Sequence, residues 1–246
     1  MSDSKVNRTG IILAAGFGSR LVGADEETRL KPLTNVNGTP LIYRTIHSLN
    51  IAGCSKVVIV LGYGFEEIKS DIRDSYEGNT PIVFVQNKQY DLSNGVSVLA
   101  AESHIEGDFI LTMADHILSD EMMKLAKVHQ PPKCGATLLV DHKVDSIFDM
   151  DDATKVLTKN GAIESIGKQI SEFNCIDTGV FICTSALMDE IKKVYQNKGD
   201  ASLSDGIQAL ANRGTMNTLD IGKAFWQDVD TPEMLAHAEK MLAAEV

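Results

Sequence analysis

The sequence has no apolar run approaching the roughly 18 residues of a membrane-spanning helix, so insertion into a bilayer is not expected. Its first ten residues, MSDSKVNRTG, are polar and hold nothing like the apolar stretch of a secretory leader. A cytoplasmic location is therefore expected. Cysteine is sparse: Cys54, Cys134, Cys175 and Cys183 form no C-x-x-C pair and match no zinc spacing. They read as buried, reduced thiols. Positive charge is also in deficit, with 23 Lys and Arg against 34 Asp and Glu, a net charge of −11. That argues against a general nucleic-acid binder, which usually carries a basic face. It leaves room for a small anionic substrate if cations are gathered locally or a metal is recruited. Aromatics are few, one Trp and five Tyr, which disfavours an aromatic box for a quaternary ammonium. No linker, low-complexity tract or internal repeat marks a boundary.

What is present is an alternation of short apolar runs and helical patterns over 246 residues, enough to bury a large core. GIILAA (10–15), KVVIVLG (56–62), PIVFVQ (81–86), DFILTMA (108–114) and GATLLVD (135–141) are near-continuous runs rich in Val and Ile. Such runs suit a parallel sheet buried on both faces. Between them, Ile42, Ile46 and Leu49 repeat at helical spacing and Gly53 ends the pattern. Ser119 before Asp120 and Glu121 predicts a helix start, as does Thr231-Pro232-Glu233. After residue 141 the rhythm changes. ATKVLTKNGAIESIGK (153–168) alternates around Asn160-Gly161 and predicts a hairpin, DTGVFICT (177–184) a strand, and Ser185 a further helix. The expectation is an α/β fold: one doubly wound, mostly parallel sheet, with a small β-rich elaboration in the second half.

Three places carry chemistry. The first is ILAAGFGSRL (12–21), where a strand breaks into Gly16-Phe17-Gly18-Ser19-Arg20. Leu21 occupies the place of a third glycine, so the dinucleotide fingerprint fails, and the P-loop pattern fails as well. Glycines after a strand still free backbone N–H groups for an anion, and Arg20 and Lys31 add donors for phosphate oxygens. A plain strand-to-helix turn with a solvated arginine would look the same. The second place is Asp115 in LTMADHI, at the end of an apolar strand, where open parallel sheets bind ligands. It suits a hard cation and equally a helix N-cap. The third is FWQDVDT, in which Asp228 and Asp230 lie two apart, on one side of an extended segment. Two such carboxylates repel unless a cation lies between them, although Asp230 also suits the start of the following helix.

Taken together, these segments resemble the nucleotidyltransferases that join a nucleoside triphosphate to a phosphorylated small molecule. The family pattern L-x-A-G-x-G-x-R-L is complete from Leu13 to Leu21, and its lysine segment reads LKPL, with Leu30 in place of the usual proline. VNGTPLIYRTI, SNGVSVLAA, ADHI, DDATKV, SIGK, IDTGVF and WQDVDT follow in an order most similar to CTP:inositol-1-phosphate cytidylyltransferases, with bacterial phosphocholine cytidylyltransferases close by. The resemblance implies a Rossmann-like nucleotidyltransferase fold over 1–246. About 10–141 would form the nucleotide half, about 142–230 the acceptor half, and 231–246 a C-terminal helix.

It further implies CTP and a phosphorylated small-molecule acceptor as partners, Mg²⁺ as cofactor, and a homodimer as an open question. Leu13, Ala14, Ala15, Gly16, Gly18 and Ser19 would form the triphosphate loop, with Gln86, Gly95 and Ser97 lining the base pocket. Arg20, Lys31 and Lys168 would act on phosphates, Lys168 on that of the acceptor. Asp115, Asp228 and Asp230 would hold the metal, while His116, Asp177 and Thr178 would meet the acceptor. For Lys168 and His116, plain surface and structural roles stay open. A carboxylate accepts from two hydroxyls, which favours a polyol phosphate. The acceptor phosphate is itself largely ionised at neutral pH, its second pKa being about 6, so no general base is required. A non-catalytic nucleotide sensor would be expected to lack Lys31 or a metal Asp, and all are present. An oxidoreductase is disfavoured by the missing glycine.

Overall fold

The computed structural model describes residues 8–18, 20–21 and 30–244. In chain order its strands are β1 (Arg8–Ala14), β2 (Asn35–Val36), β3 (Thr39–Pro40), β4 (Cys54–Leu61), β5 (Ile82–Gln86), β6 (Phe109–Met113), β7 (His116–Leu118), β8 (Ala136–Asp141), β9 (Lys155–Lys159), β10 (Ala162–Gly167), β11 (Cys175–Cys183), β12 (Met216–Asp220) and β13 (Trp226–Asp228). The helices are α1 (Leu41–Ile51), α2 (Phe65–Ser75), α3 (Asn94–Ala100), α4 (Asp120–Val128), α5 (Ala186–Lys198), α6 (Leu203–Asn212) and α7 (Pro232–Ala244).

Among the described residues, nine strands form one sheet in the order β5-β4-β1-β6-β11-β8-β12-β10-β9. The strands β5, β4, β1 and β6 are parallel, and β12 runs parallel to β8. β11 enters antiparallel between β6 and β8, so the mostly parallel sheet expected from the apolar runs is present. The predicted hairpin is β9–β10, turning on Asn160 and Gly161 with φ of 53° and 77°. Positive φ at both central residues gives the turn that matches strand twist, and Asn-Gly supplies it. The hairpin extends the main sheet through β12 and also touches β11, so the elaboration is part of the sheet.

Alternation along the strands builds two cores. Ile11 and Leu13 face the layer containing Val98, Leu187 and Ile207, while Ile12 and Ala14 face Ile46, Ile68 and Met122. A strand buried on both sides needs apolar residues at every position, which is why these segments read as continuous runs. A third, small core packs Ala238 of α7 against Val36, Leu41, Ile117 and Val229. It fixes the Asp228–Asp230 segment beside the sheet. Of the cysteines, Cys54, Cys175 and Cys183 are buried as expected, but Cys134 is exposed in a turn with φ of 56°. Burial pushes the Cys54 and Cys175 thiols up to about 12. No described helix is long and apolar enough to cross a membrane.

Candidate active site

The carboxyl ends of β1 and β6 open onto two adjoining cavities. The smaller, about 320 Å³, is lined by Leu13, Ala14, Gly16, Phe17, Gly18, Lys31 and Ala114 among others. The larger, about 590 Å³, is lined from the second half by residues that include Asp141, Lys143, Lys168, Asp177, Trp226 and Asp228. Arg20, Asp115 and Asp230 line both. The cavities therefore meet at a guanidinium and two carboxylates drawn from three distant parts of the chain.

Local structure explains how these groups converge. Asp115 sits in the turn between β6 and β7, where the chain leaves the sheet. β7 pairs with β13 so that His116 lies opposite Asp228, and the Val229 N–H donates to the Asp115 carbonyl at 2.9 Å. Lys31 begins a short 3-10 turn that Pro32 supports, and its side chain is almost fully buried. Its ammonium donates to Asp115 Oδ2 at 2.6 Å and also to Asp230 Oδ1. Burial alone would lower the Lys31 pKa, but the two carboxylates outweigh it and raise it. Burial likewise pushes the Asp115 carboxyl up, yet His116 Nδ1 at 2.7 Å and Lys31 hold it well below the usual carboxylate range. Arg20 forks between Asp152 Oδ2 at 3.0 Å and Asp230 Oδ2 at 2.9 Å, and Lys168 donates to Asp152 Oδ1 at 2.6 Å.

Oxygens of Asp152, Asp228 and Asp230 lie within 4.8 Å of one another. Three hard oxygen donors at this spacing fit a divalent cation such as Mg²⁺. Asp115 stands one residue further off, across Lys31. Burial, with Asp230 and Asp115 close by, raises the Asp228 pKa against the opposing pull of His116.

The wall of the larger cavity is arranged around Trp226. Its indole N–H donates to the buried Asp141 Oδ2 at 3.1 Å, and its ring stacks on His116 at 15° and 6.0 Å between centroids. Gly179, at φ +75°, lets the chain pass this imidazole: a Cβ there would lie 2.5 Å from His116 Nε2. Asp177 lines the larger cavity, and its Oδ1 accepts from Gly179 N–H at 2.7 Å. Burial pushes its carboxyl up to about 6. This carboxylate is thus held at a cost to stability, which is complete above about pH 6, shrinks as pH falls toward the ordinary value of 3.8, and is gone below it. Asp177→Asn should raise Tm at pH 8 and leave it unchanged below pH ~4. Scanning calorimetry at the two pH values checks this, and equal Tm values at pH 8 would refute it.

Not every expected residue reaches the cleft. Thr178 is buried, its hydroxyl donating to the Leu139 carbonyl at 2.8 Å. Neighbours on a strand point to opposite faces, so Asp177 and Thr178 cannot both face the larger cavity. Gly95 packs under the chain at Ala201, where a Cβ would lie 2.5 Å from a carbonyl oxygen. Ser97 is buried and accepts from Asn87 Nδ2 at 2.9 Å, and Gln86 is exposed at the end of β5. None of Gln86, Gly95 and Ser97 lines either cavity. The Ala15 carbonyl accepts from Tyr63 N–H at 3.1 Å, and Ser19 lies outside the described residues. Sequence reasoning missed Asp152, Asp141 and Trp226. It also missed the cluster in which the exposed Phe17 ring packs 5.3 Å from Tyr63 and 5.4 Å from Tyr90.

A doubly wound sheet thus brings a glycine loop, an Arg, a Lys and paired Asp residues together at its carboxyl edge, where open α/β sheets bind ligands. The sequence pattern of the family described as "Nucleotidyl transferase" matches residues 9–245, and the chain belongs to that family. It is 32% identical over 235 residues to the "Bifunctional IPC transferase and DIPP synthase" of Aquifex aeolicus, covering 95% of this chain and 51% of that protein. The chain thus spans about half the length of that relative. It is 29% identical to the "UTP--glucose-1-phosphate uridylyltransferase AglF" of Haloferax volcanii, covering 96% of each. Among solved structures, that of the inositol-1-phosphate CTP transferase from T. maritima superposes with a TM-score of 0.84 at 27% identity, covering 96% of this chain and 95% of that one.

Proposed function

We propose that the protein transfers a cytidylyl group from CTP to a polyol phosphate resembling inositol 1-phosphate, releasing pyrophosphate. The observation that carries this reading is the junction of two cavities at Arg20, Asp115 and Asp230. A reaction between two phosphates needs such a place: one cavity for the triphosphate, one for the acceptor, and charge control between them. An oxygen of the acceptor phosphate attacks the α-phosphorus in line. The bond to the bridging oxygen breaks, and pyrophosphate leaves with the electron pair. Because the nucleophile is already ionised, the residues have to align and neutralise rather than remove a proton. Arg20 and Lys31 hold the triphosphate, and Lys168 receives the acceptor phosphate. The N–H groups between Ala15 and Gly18 face the phosphates, with Leu13 and Ala14 beneath. Asp177, with one oxygen engaged by Gly179, accepts from acceptor hydroxyls, and His116 holds the acceptor-side wall through Trp226. Mg²⁺ held by Asp228 and Asp230, with Asp152 completing the cluster and Asp115 adjoining, would supply charge neutralisation at the reacting phosphates.

The likeness to inositol-1-phosphate CTP transferase supports both substrates, and the likeness to AglF supports UTP and a sugar 1-phosphate as a second reading. Pyrophosphate release measured for each nucleoside triphosphate with a panel of alcohol, sugar and choline phosphates separates them. CTP with inositol 1-phosphate should exceed UTP or ATP pairs about 10-fold or more in kcat/KM, since a wrong base leaves polar groups unpaired at ~1–3 kcal/mol each. Equal use of ATP or dTTP would refute the donor, and no pyrophosphate from any pair would refute the reaction.

A further inference from the structure

The larger cavity has a side that the proposed reaction leaves unused. Besides its carboxylates and Lys168, the cavity is lined by Ile147, Phe148, His237 and Met241. Two distant segments supply these residues, the loop between β8 and β9 and the helix α7. His237 and Met241 stand four apart, on one face of that helix. Phe148 stacks on His237, with 4.3 Å between ring centroids and 19° between planes. One face of the phenyl ring is thereby covered, yet the residue is still 47% exposed. A single exposed apolar ring on an open surface needs no explanation. This one lines the cavity in which the acceptor is placed.

The loop that presents Phe148 is built. Ser146 donates to the Lys143 carbonyl twice, from N–H at 2.9 Å and from Oγ at 2.7 Å, and Ile147 N–H donates to the Val144 carbonyl at 3.3 Å. Lys143 Nζ donates to the carbonyls of Gly222 at 2.8 Å and Ala224 at 3.1 Å, and pairs with Asp141. Beyond the ring, Ala153 N–H donates to the Asp149 carbonyl at 3.1 Å. The segment 143–153 is therefore pinned on both sides of Phe148. What its ring fits follows from chemistry. A phenyl face carries partial negative charge and takes C–H groups and other apolar surface. Asp177, in the same cavity, is suited to hydroxyls. A cyclic polyol offers both, with C–H groups over its faces and hydroxyls around its edge. An acyclic polyol has no face to lay on the ring. A quaternary ammonium calls for several open aromatic faces, whereas His237 takes one face of Phe148 and His116 stacks on Trp226.

We propose that Phe148, braced by His237, is a specificity-determining residue whose open ring face stacks on the ring of the acceptor, so that the cavity selects cyclic over acyclic polyol phosphates. This rests on the placing of the acceptor in the larger cavity under the proposed function. The test compares inositol 1-phosphate with glycerol 3-phosphate as acceptors for the full chain with CTP. Phe148→Leu keeps an apolar side chain against His237 but removes the flat face. It should lower kcat/KM for inositol 1-phosphate at least about tenfold more than for glycerol 3-phosphate, through KM rather than kcat, with the KM for CTP and Tm at wild-type values. Phe148→Tyr, which returns the face, should return the preference. A merely structural role, in which Phe148 ties the loop to α7, predicts equal losses for both acceptors and a lowered Tm. Equal losses, an unchanged preference in Phe148→Leu, or no recovery in Phe148→Tyr would overturn the proposal. If the wild type releases no pyrophosphate with either acceptor, the proposed reaction falls, and the stacking face is judged by binding alone. Binding is read from the fluorescence of Trp226, the single tryptophan of the sequence, which lines the same cavity. The wild type should then bind inositol 1-phosphate at least about tenfold more tightly than glycerol 3-phosphate and Phe148→Leu should not, and any other result overturns the proposal.

Discussion

Asp115→Asn is expected to lower kcat by at least ~10³-fold while leaving a folded protein, the scale at which a lost metal ligand or preorganised charge shows. Asp115 is the point where both halves of the cleft depend on one carboxylate. One oxygen accepts from Lys31 at 2.6 Å and the other from His116 Nδ1 at 2.7 Å, while the backbone carbonyl accepts from Val229. The amide keeps the shape but removes the charge. Lys31 is then left buried with Asp230 as its remaining carboxylate partner, and its ammonium shifts toward it. The negative charge that a cation beside the Asp228–Asp230 pair would meet is lost as well. Because the carboxylate is positioned before substrates arrive, most of the effect should fall on the transition state, so kcat should drop far more than CTP affinity. The checks are pyrophosphate release, calorimetric CTP binding and a melting curve for the variant. Wild-type activity should also vanish in EDTA and return with Mg²⁺. Full activity in Asp115→Asn, or in EDTA, would sink the metal reading.

The sheet was legible because a strand buried on both faces has little choice of residue. β1, β4, β5, β6 and β8 each fall within two residues of their apolar runs. The hairpin was legible because Asn160-Gly161 fits the one turn that needs two positive φ values. The direction of β11 was not, since CIDTGVFIC buries its side chains whichever way it runs. β12 was missed because MNTLD has only a half-buried, mixed pattern. α6 had a readable start, a capping box in which Ser202 and Asp205 bond each other's backbone. In the site, the motif residues Lys31, Arg20, Asp115, Asp228 and Asp230 converge on the cleft. Gly95 illustrates the limit: a glycine beneath Ala201 and a glycine beneath a base look alike in a sequence. Asp152 was given no role although it stands in the DDATKV segment, because Asp149 and Asp151 beside it look the same in the sequence. Only folding brings it to Arg20 and Asp230, which lie 132 and 78 residues away along the chain.

The two glycines of the loop at 16–20 should fail in different ways. At Gly16 an added Cβ would meet nothing within 4 Å, and the backbone is not in the left-handed region. Gly16 also lines the smaller cavity, so the open space above it is the space that a triphosphate would fill. Gly16→Val should therefore leave Tm unchanged and weaken CTP binding at least ~100-fold, because a branched side chain blocks the approach of phosphate to the backbone N–H groups. Gly18 is a different case. Its φ is +64°, and a Cβ there would lie 2.5 Å from Lys31 Cβ. A β-branched residue would carry left-handed strain of ~1–2 kcal/mol or more and push the Lys31 stem away from Asp115 and Asp230. Gly18→Val should thus lose CTP affinity and also lower Tm, and Gly18→Ala should show a smaller version of both. Calorimetric CTP titration beside melting curves distinguishes the two positions. Normal CTP binding by Gly16→Val would mean that the loop is only a turn between strand and helix. A lowered Tm in that variant would mean that the space above Gly16 belongs to the fold rather than to a ligand.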